Sequence, residues 1–218
     1  MLAASLKARE NIRKFFRMVQ VVSILLYKWD PNNAIEVSGH HNLSKIDFFK
    51  RGTVKSFIKF HARTVVTRTL KGQRQTIQFE ENMGKCHVYV SESGLAAAVL
   101  TDGDYPMRVA FTLLNETMRV FEDKSKGGWR GAKEDVDMDF REGDELLKKF
   151  QNPSEADKIS KIEKELEEVK GIVVKSMDDI LKRGETLDSL VQKSNDLSEM
   201  SRQFYRTAKK NNQCCQMY

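Results

Sequence analysis

From Ile159 onward, steps of three and four residues reach Ile159, Ile162, Leu166, Val169, Val173, Ser176, Ile180, Arg183, Leu187, Leu190, Ser194, Leu197, Ser201, Phe204, Ala208 and Asn211. Eleven of these sixteen positions are apolar, and the residues between them are mostly Lys, Glu, Asp, Gln and Ser. Apolar side chains every 3.5 residues form a narrow seam that winds left-handed and is buried only against other helices. No proline falls in the seam, so residues 154–211 read as one long helix that needs partners. Asn152-Pro153-Ser154, with Asp157 three residues on, is a fitting start. Lone helix-interior glycines such as Gly171 and Gly184 each cost about 1 kcal/mol relative to alanine.

Arg183 is the one cation in the seam, and its spacing alone leaves two readings. An unpaired buried guanidinium costs several kcal/mol, so Arg183 either snorkels out to water or meets acceptors offered by partner helices and fixes their register.

The run Ile180-Leu-Lys-Arg-Gly-Glu-Thr-Leu-Asp-Ser-Leu190, followed by Ser194, Leu197, Ser201, Phe204 and Ala208, resembles an R-SNARE motif. The resemblance implies that Arg183 meets three Gln side chains from three Gln-SNARE helices in a parallel four-helix bundle. The end of the chain, Phe204-Tyr-Arg-Thr-Ala-Lys-Lys and then Cys214-Cys215, is similar to the Ykt-type synaptobrevin homologues, which end in lipidated cysteines.

Composition agrees with a soluble domain carrying an exposed helix: 31% of the residues are charged, 40% are hydrophobic and the net charge is +6. Acids balance the basic residues of the heptad region, and there is no aromatic-interleaved basic stripe, so nucleic acid is not expected as a partner. Three cysteines, two adjacent, make no disulfide framework and suit a reducing compartment. No apolar run approaches a membrane span.

Residues 1–17 carry Lys7, Arg9, Arg13, Lys14 and Arg17 beside Leu2, Leu6, Ile12, Phe15 and Phe16. They read either as a short basic amphipathic helix for a membrane or organelle or as a dispensable extension. Met18–Tyr27 reads as a strand, Asp30-Pro-Asn-Asn33 as a turn and Ala34–His40 as a second strand. Ile46–Leu70 has a helical apolar face through Phe49, Val54, Phe57, Ile58, His61, Val65 and Val66, with Phe60 beside that stripe. Strands follow at Arg74–Phe79, Cys86–Val90 and Leu95–Leu100, with a turn at Asn82–Gly84. A helix then runs from Pro106 to about Asp123. Lys124–Asp144 reads as a flexible connection that Trp129 tacks to the domain, with a short helix around Glu145–Phe150.

Two strands, a helix, three strands and a helix predict an antiparallel meander with helices packed on it. Phe48-Phe-Lys-Arg51 with Val54 and Phe57, Cys86-His-Val-Tyr-Val90, and Asp104-Tyr-Pro106 with residues 108–114 resemble a longin domain. The implied fold class is α+β. A profilin-like longin domain, a five-stranded antiparallel sheet with helices on its faces, precedes a long coiled-coil SNARE helix. The divisions are a basic extension at 1–17, the longin domain at 18–123, a linker with a short helix at 124–153, the SNARE motif at 154–211 and a lipidated tail at 212–218.

Candidate chemistry is sparse. His40 and His41 are adjacent and point apart in a strand. His61 and His87 lack ligands at metal spacing, so no metal site is expected. Asp135, Asp137 and Asp139 read as a solvated acidic run. Cys215, four from the end, fits a prenylation box, with Cys214 as a neighbouring palmitoyl acceptor; covalent lipids are the only added groups expected. Tyr218 is not a usual terminal residue for that box, so the lipid type stays open. Lys209 and Lys210 add attraction to anionic lipid.

No constellation for catalysis is present. The resemblance implies a SNARE that drives fusion of intracellular vesicle membranes and is restrained by its own longin domain through a surface including Phe60, with Phe57 and Ile58 in the core. It implies cycling between the cytosol and the cytoplasmic face of Golgi, ER, endosomal or vacuolar membranes. Two other classes remain: a longin-type adaptor or tether recruiting partners through its coiled coil, and an acyl-transfer enzyme using Cys86 or Cys214.

Overall fold

The computed structural model describes residues 20–79, 84–154, 156 and 172–213, with side chains through Thr207. The basic extension at 1–17, seam residues Ile159, Ile162, Leu166 and Val169, most of the turn at Asn82–Gly84, and Cys214 and Cys215 lie outside the described residues. So do the side chains of Ala208, Lys209, Lys210 and Asn211.

The chain builds β1 (Val21–Lys28), β2 (Ile35–His41), α1 (Phe48–Thr67), β3 (Arg74–Gln78), β4 (Lys85–Val90), β5 (Leu95–Thr101), α2 (Met107–Ser125) and α3 (Glu142–Lys149). Then come β6 (Val174–Ser176), a 3-10 turn at Asp178–Ile180, α4 (Leu187–Lys193) and α5 (Glu199–Gln213). The sheet order is β2-β1-β5-β4-β3-β6. The first five strands pair antiparallel, as the meander reading expects.

Strand alternation divides the core into two layers. Ile24 and Leu26 of β1, with Ala97 and Val99 of β5, face Val109, Leu113 and Phe121 of α2. Leu25 and Tyr27, with Ala98 and Leu100, face Ile58, Ala62, Val65 and Val66 of α1. The β1–β2 turn is tied by Asp30 Oδ1, which accepts from the backbone N–H of Asn32 at 2.8 Å and of Asn33 at 3.0 Å.

The expected flexible connection is instead built into the domain. The backbone N–H groups of Val136 and Met138 donate to Glu36 O and Val37 O, both at 2.9 Å, so this stretch lies along the β2 edge. Phe140, Leu146, Leu147 and Phe150 complete the α2 layer. Trp129 tacks the segment down as expected: it is buried, and its indole N–H donates to Glu122 Oε2 at 3.0 Å. Two backbone bonds to β2 and the buried Trp129 and Phe140 tie the connection to the domain.

The single long helix is not what residues 172–213 adopt here. A helix does start as expected at Pro153, where Asn152 Oδ1 accepts from Ser154 N–H at 3.2 Å. From residue 172, however, the chain forms a strand, a 3-10 turn and two separate helices. β6 adds to β3 in parallel, pairing Thr76 with Val174 and Gln78 with Ser176. Gly184 takes φ 83°, a left-handed value, in the turn before α4. Thr186 and Ser189 form a capping box at the start of α4, and Ser198 Oγ accepts from Ser201 N–H at 3.1 Å in the first turn of α5. The physical cause is burial. Without partner helices the apolar seam has only this domain to cover it.

Candidate functional site

α1 buries one face on the sheet and turns the other toward the C-terminal segment. Phe60 is 3% exposed and packs with Val191 of α4 and Leu197, ringed by Phe57, Leu187, Leu190 and Tyr205. Phe57 lies 6.4 Å, centroid to centroid, from both Phe204 and Tyr205. The Phe60 surface expected from sequence is thus occupied by the chain's own heptad segment. Phe57 was expected in the core with Ile58. Ile58 is there, but Phe57 belongs to this outer cluster, because it sits one helical step round from the sheet-facing stripe.

Polar groups fix the alignment. Arg63 of α1 donates from Nε to Asp196 Oδ2 at 2.8 Å and from Nη2 to Asp196 Oδ1 at 2.9 Å. The same guanidinium donates to Asp135 at 2.5 and 3.1 Å and to the Ala34 carbonyl, and lies over the Tyr27 ring. Burial works against the Arg63 charge, but the bonds to Asp135 and Asp196 outweigh it and hold the guanidinium protonated. Burial also pushes the Asp135 carboxyl up, yet Arg63 and the Glu36 N–H leave it below its ordinary value. Asp135 is therefore a structural anchor, while it and the rest of the acidic run, Asp137 and Asp139, stay exposed as expected.

Arg68, at the C-terminal end of α1, donates from Nη2 to both oxygens of Glu185 at 2.9 and 3.0 Å. Ser56 and Ser201 share a hydrogen bond at 2.9 Å. On the other side of the turn, Met177 and Ile180 join the α1 core layer.

The seam residues fall into two groups. Ile180, Leu187, Leu190, Leu197, Ser201 and Phe204 face the domain. Val173, Ser176 and Arg183 are exposed, Ser194 is half-buried, and Arg183 sits on the loop before α4. Sequence reasoning missed Arg63, Arg68, Glu185, Asp196, Val191 and Tyr205. The caps at Thr186 and Ser198 and the turn-prone Ser194-Asn-Asp196 were visible signals that the run can break. The Arg–carboxylate pairs carried none, since more than a hundred residues separate their partners.

The histidines are structural. His40 bonds Asp144 at 3.0 Å and His41 bonds Ser23 at 2.9 Å, so the two point apart as expected. His87 lies between Thr76 and Thr101, and burial lowers its pKa to about 3. Cys86 is a buried thiol that burial pushes well up, far from a thiolate. Among the described residues no group of His, Cys, Asp and Glu is arranged to hold a metal, and no helix is long and apolar enough to cross a membrane.

A longin-like α+β domain that carries a heptad segment on its first helix defines the class of longin-domain SNAREs. Family models agree: the regulated-SNARE-like Longin domain matches residues 43–147 and Synaptobrevin matches residues 158–217. The chain is 43% identical over 199 residues to VAMP-like protein YKT61 of Arabidopsis thaliana, covering 90% of this chain and 98% of that protein. It is 37% identical over 198 residues to Synaptobrevin homolog ykt6 of Schizosaccharomyces pombe, with the same coverage. Against Synaptobrevin homolog YKT6 of Saccharomyces cerevisiae it is 38% identical over 199 residues, again covering 90% and 98%. The chain belongs to the Ykt6 family of synaptobrevin homologues, non-enzymatic R-SNAREs of vesicle transport with a longin domain.

Proposed function

We propose that this R-SNARE drives fusion of intracellular membranes by zipping residues 154–211 with three Gln-SNARE helices, and that its longin domain restrains it. One observation carries the restraint: Ile180, Leu187, Leu190, Leu197, Ser201 and Phe204, all seam positions, face α1 and the sheet. A side chain buried on α1 is not available to a bundle, so the closed form and the bundle exclude each other. Opening exchanges one apolar covering for another of larger area, at about 25 cal/mol per Å2 buried.

In the bundle Arg183 enters the central layer and hydrogen-bonds Gln side chains shielded from water. Its exposure in the closed form means that it is stored without a desolvation cost. Prenylation of Cys215 and palmitoylation of Cys214 give the two signals that stable anchoring takes, and zippering toward them draws the membrane in. The cytoplasmic face of Golgi, ER, endosomal or vacuolar membranes is the expected location.

Phe60→Glu tests the restraint in the full chain, because it puts a carboxylate among Val191 and Leu197. The variant should show a larger hydrodynamic radius and assemble faster with three Gln-SNARE helices into a 1:1:1:1 complex. Assembly at the parent's rate would remove the restraint, and self-association indifferent to Arg183 would point to an adaptor.

A further inference from the structure

Phe48 and Phe49 open α1 with 73% and 89% of their surface exposed, rings edge to face at 5.7 Å. The junction that displays them is well tied. Asp47 Oδ1 accepts from Phe49 N–H at 3.0 Å, Arg51 donates to the Ile46 carbonyl at 3.0 Å and lies over the Phe48 ring, and the neighbouring Leu43 is buried. Lys45, Lys50 and Lys55 are exposed beside the pair, with no ion pair to them among the described residues. The one carboxylate at the tip is the capping Asp47, and the first turn of α1 itself holds no acid. Lys45, Lys50, Arg51 and Lys55 outnumber Asp47 there, and that excess of positive charge at a helix N-terminus suits an anionic counterpart.

We propose that this aromatic and basic tip is a membrane contact encoded in the longin domain itself: Phe48 and Phe49 insert into the interfacial layer of an anionic lipid surface while Lys45, Lys50, Arg51 and Lys55 meet its headgroups. Two observations select lipid as the occupant. The charge is complementary to an anionic leaflet, where each nearby cation strengthens binding by about fivefold. Two phenylalanines bury at most about 500 Å2, short of the roughly 800 Å2 per partner of a stable protein interface, yet aromatic side chains at this density suffice for interfacial insertion.

The proposal stands whether or not the cysteines carry lipid, so its test uses full-length chain with C214S/C215S. Co-sedimentation with vesicles of phosphatidylcholine containing about a third phosphatidylserine should give binding that weakens with salt and is severalfold weaker on pure phosphatidylcholine. F48S/F49S should lower the partition coefficient about tenfold, and K45E/K50E should lower it and flatten the salt dependence, both with the parent's melting temperature because the sites are exposed. Equal binding of parent and F48S/F49S would overturn the proposal, as would a parent that ignores anionic vesicles. Self-association in ultracentrifugation that depends on Phe48 and Phe49, with no vesicle binding, would make the tip a protein contact and also overturn it.

Discussion

Arg63 of α1 grips Asp196 between α4 and α5 with two parallel N–H···O bonds of 2.8 and 2.9 Å, while the rest of its guanidinium holds Asp135 and the Ala34 carbonyl. One side chain thus joins the β1–β2 turn, the segment along β2 and the heptad segment. Bidentate pairs of this kind combine strength with geometric specificity. They also make the closed alignment depend on a residue outside the apolar seam.

Asp196→Ala removes one of the two carboxylates and leaves the Asp135 pair intact. The closed form should lose about 2 kcal/mol, with melting of the core little changed. Hydrogen exchange over residues 187–207 should speed up while β1 and β5 stay protected. Unchanged exchange in α4 and α5 would show that the apolar cluster alone sets the alignment.

Gly184→Ala acts on both states in the same direction. In the closed form Gly184 has a left-handed φ of 83°, and no atom lies within 4 Å of an added Cβ, so strain is purely conformational. That strain costs about 1–2 kcal/mol, and alanine in a continuous helix gains about 1 kcal/mol. Together they should shift the closed–open balance by about 2–3 kcal/mol, thirtyfold or more. Helical ellipticity should rise and assembly with Gln-SNARE helices should accelerate; a variant as closed as the parent would refute this.

Arg183→Gln separates storage from use. Arg183 is exposed in the closed form, so melting should change by no more than about 0.5 kcal/mol. If Arg183 enters the central layer, stability of the assembled bundle should fall while closed-form exchange rates hold. A loss of closed-form protection would place its role within the longin contact instead.

Acid should open the molecule. The Glu185 carboxyl lies below its ordinary value of 4.5, held there by the Lys182 backbone N–H and, against some burial, by Arg68. A depressed carboxyl stabilises the closed form fully above its unfolded-state value and loses that contribution as pH falls through its closed-state value. The closed radius should persist from pH 7 to about 5 and expand below about 4, with Arg68→Ala muting the Glu185 share. Expansion on raising pH through 7 would contradict the assignment.

The meander, α1 and α2 were legible because each is a local pattern. β1 alternates between two covered faces, and Val109, Leu113 and Phe121 recur on the α2 face that meets the sheet. Trp129 was legible as a lone aromatic in a polar stretch. The seating of Val136 and Met138 against β2 was not, because backbone bonds to a sheet edge leave no signature in side-chain order. Phe57 was misassigned to the core because a helix with two buried faces blurs its own stripe.

By itself the amino-acid order determined which side chains require burial: Leu187, Leu190, Leu197 and Phe204 recur at 3.5-residue spacing whatever lies opposite them. Only the tertiary structure decided what covers them. A heptad seam is satisfied by any apolar surface of matching shape, and in this chain alone that surface is α1 with Phe57 and Phe60. The breaks that make the seating possible, at Gly184 and around Ser194, cost little, since the helix they interrupt gains its stability from packing and not from its own propensity.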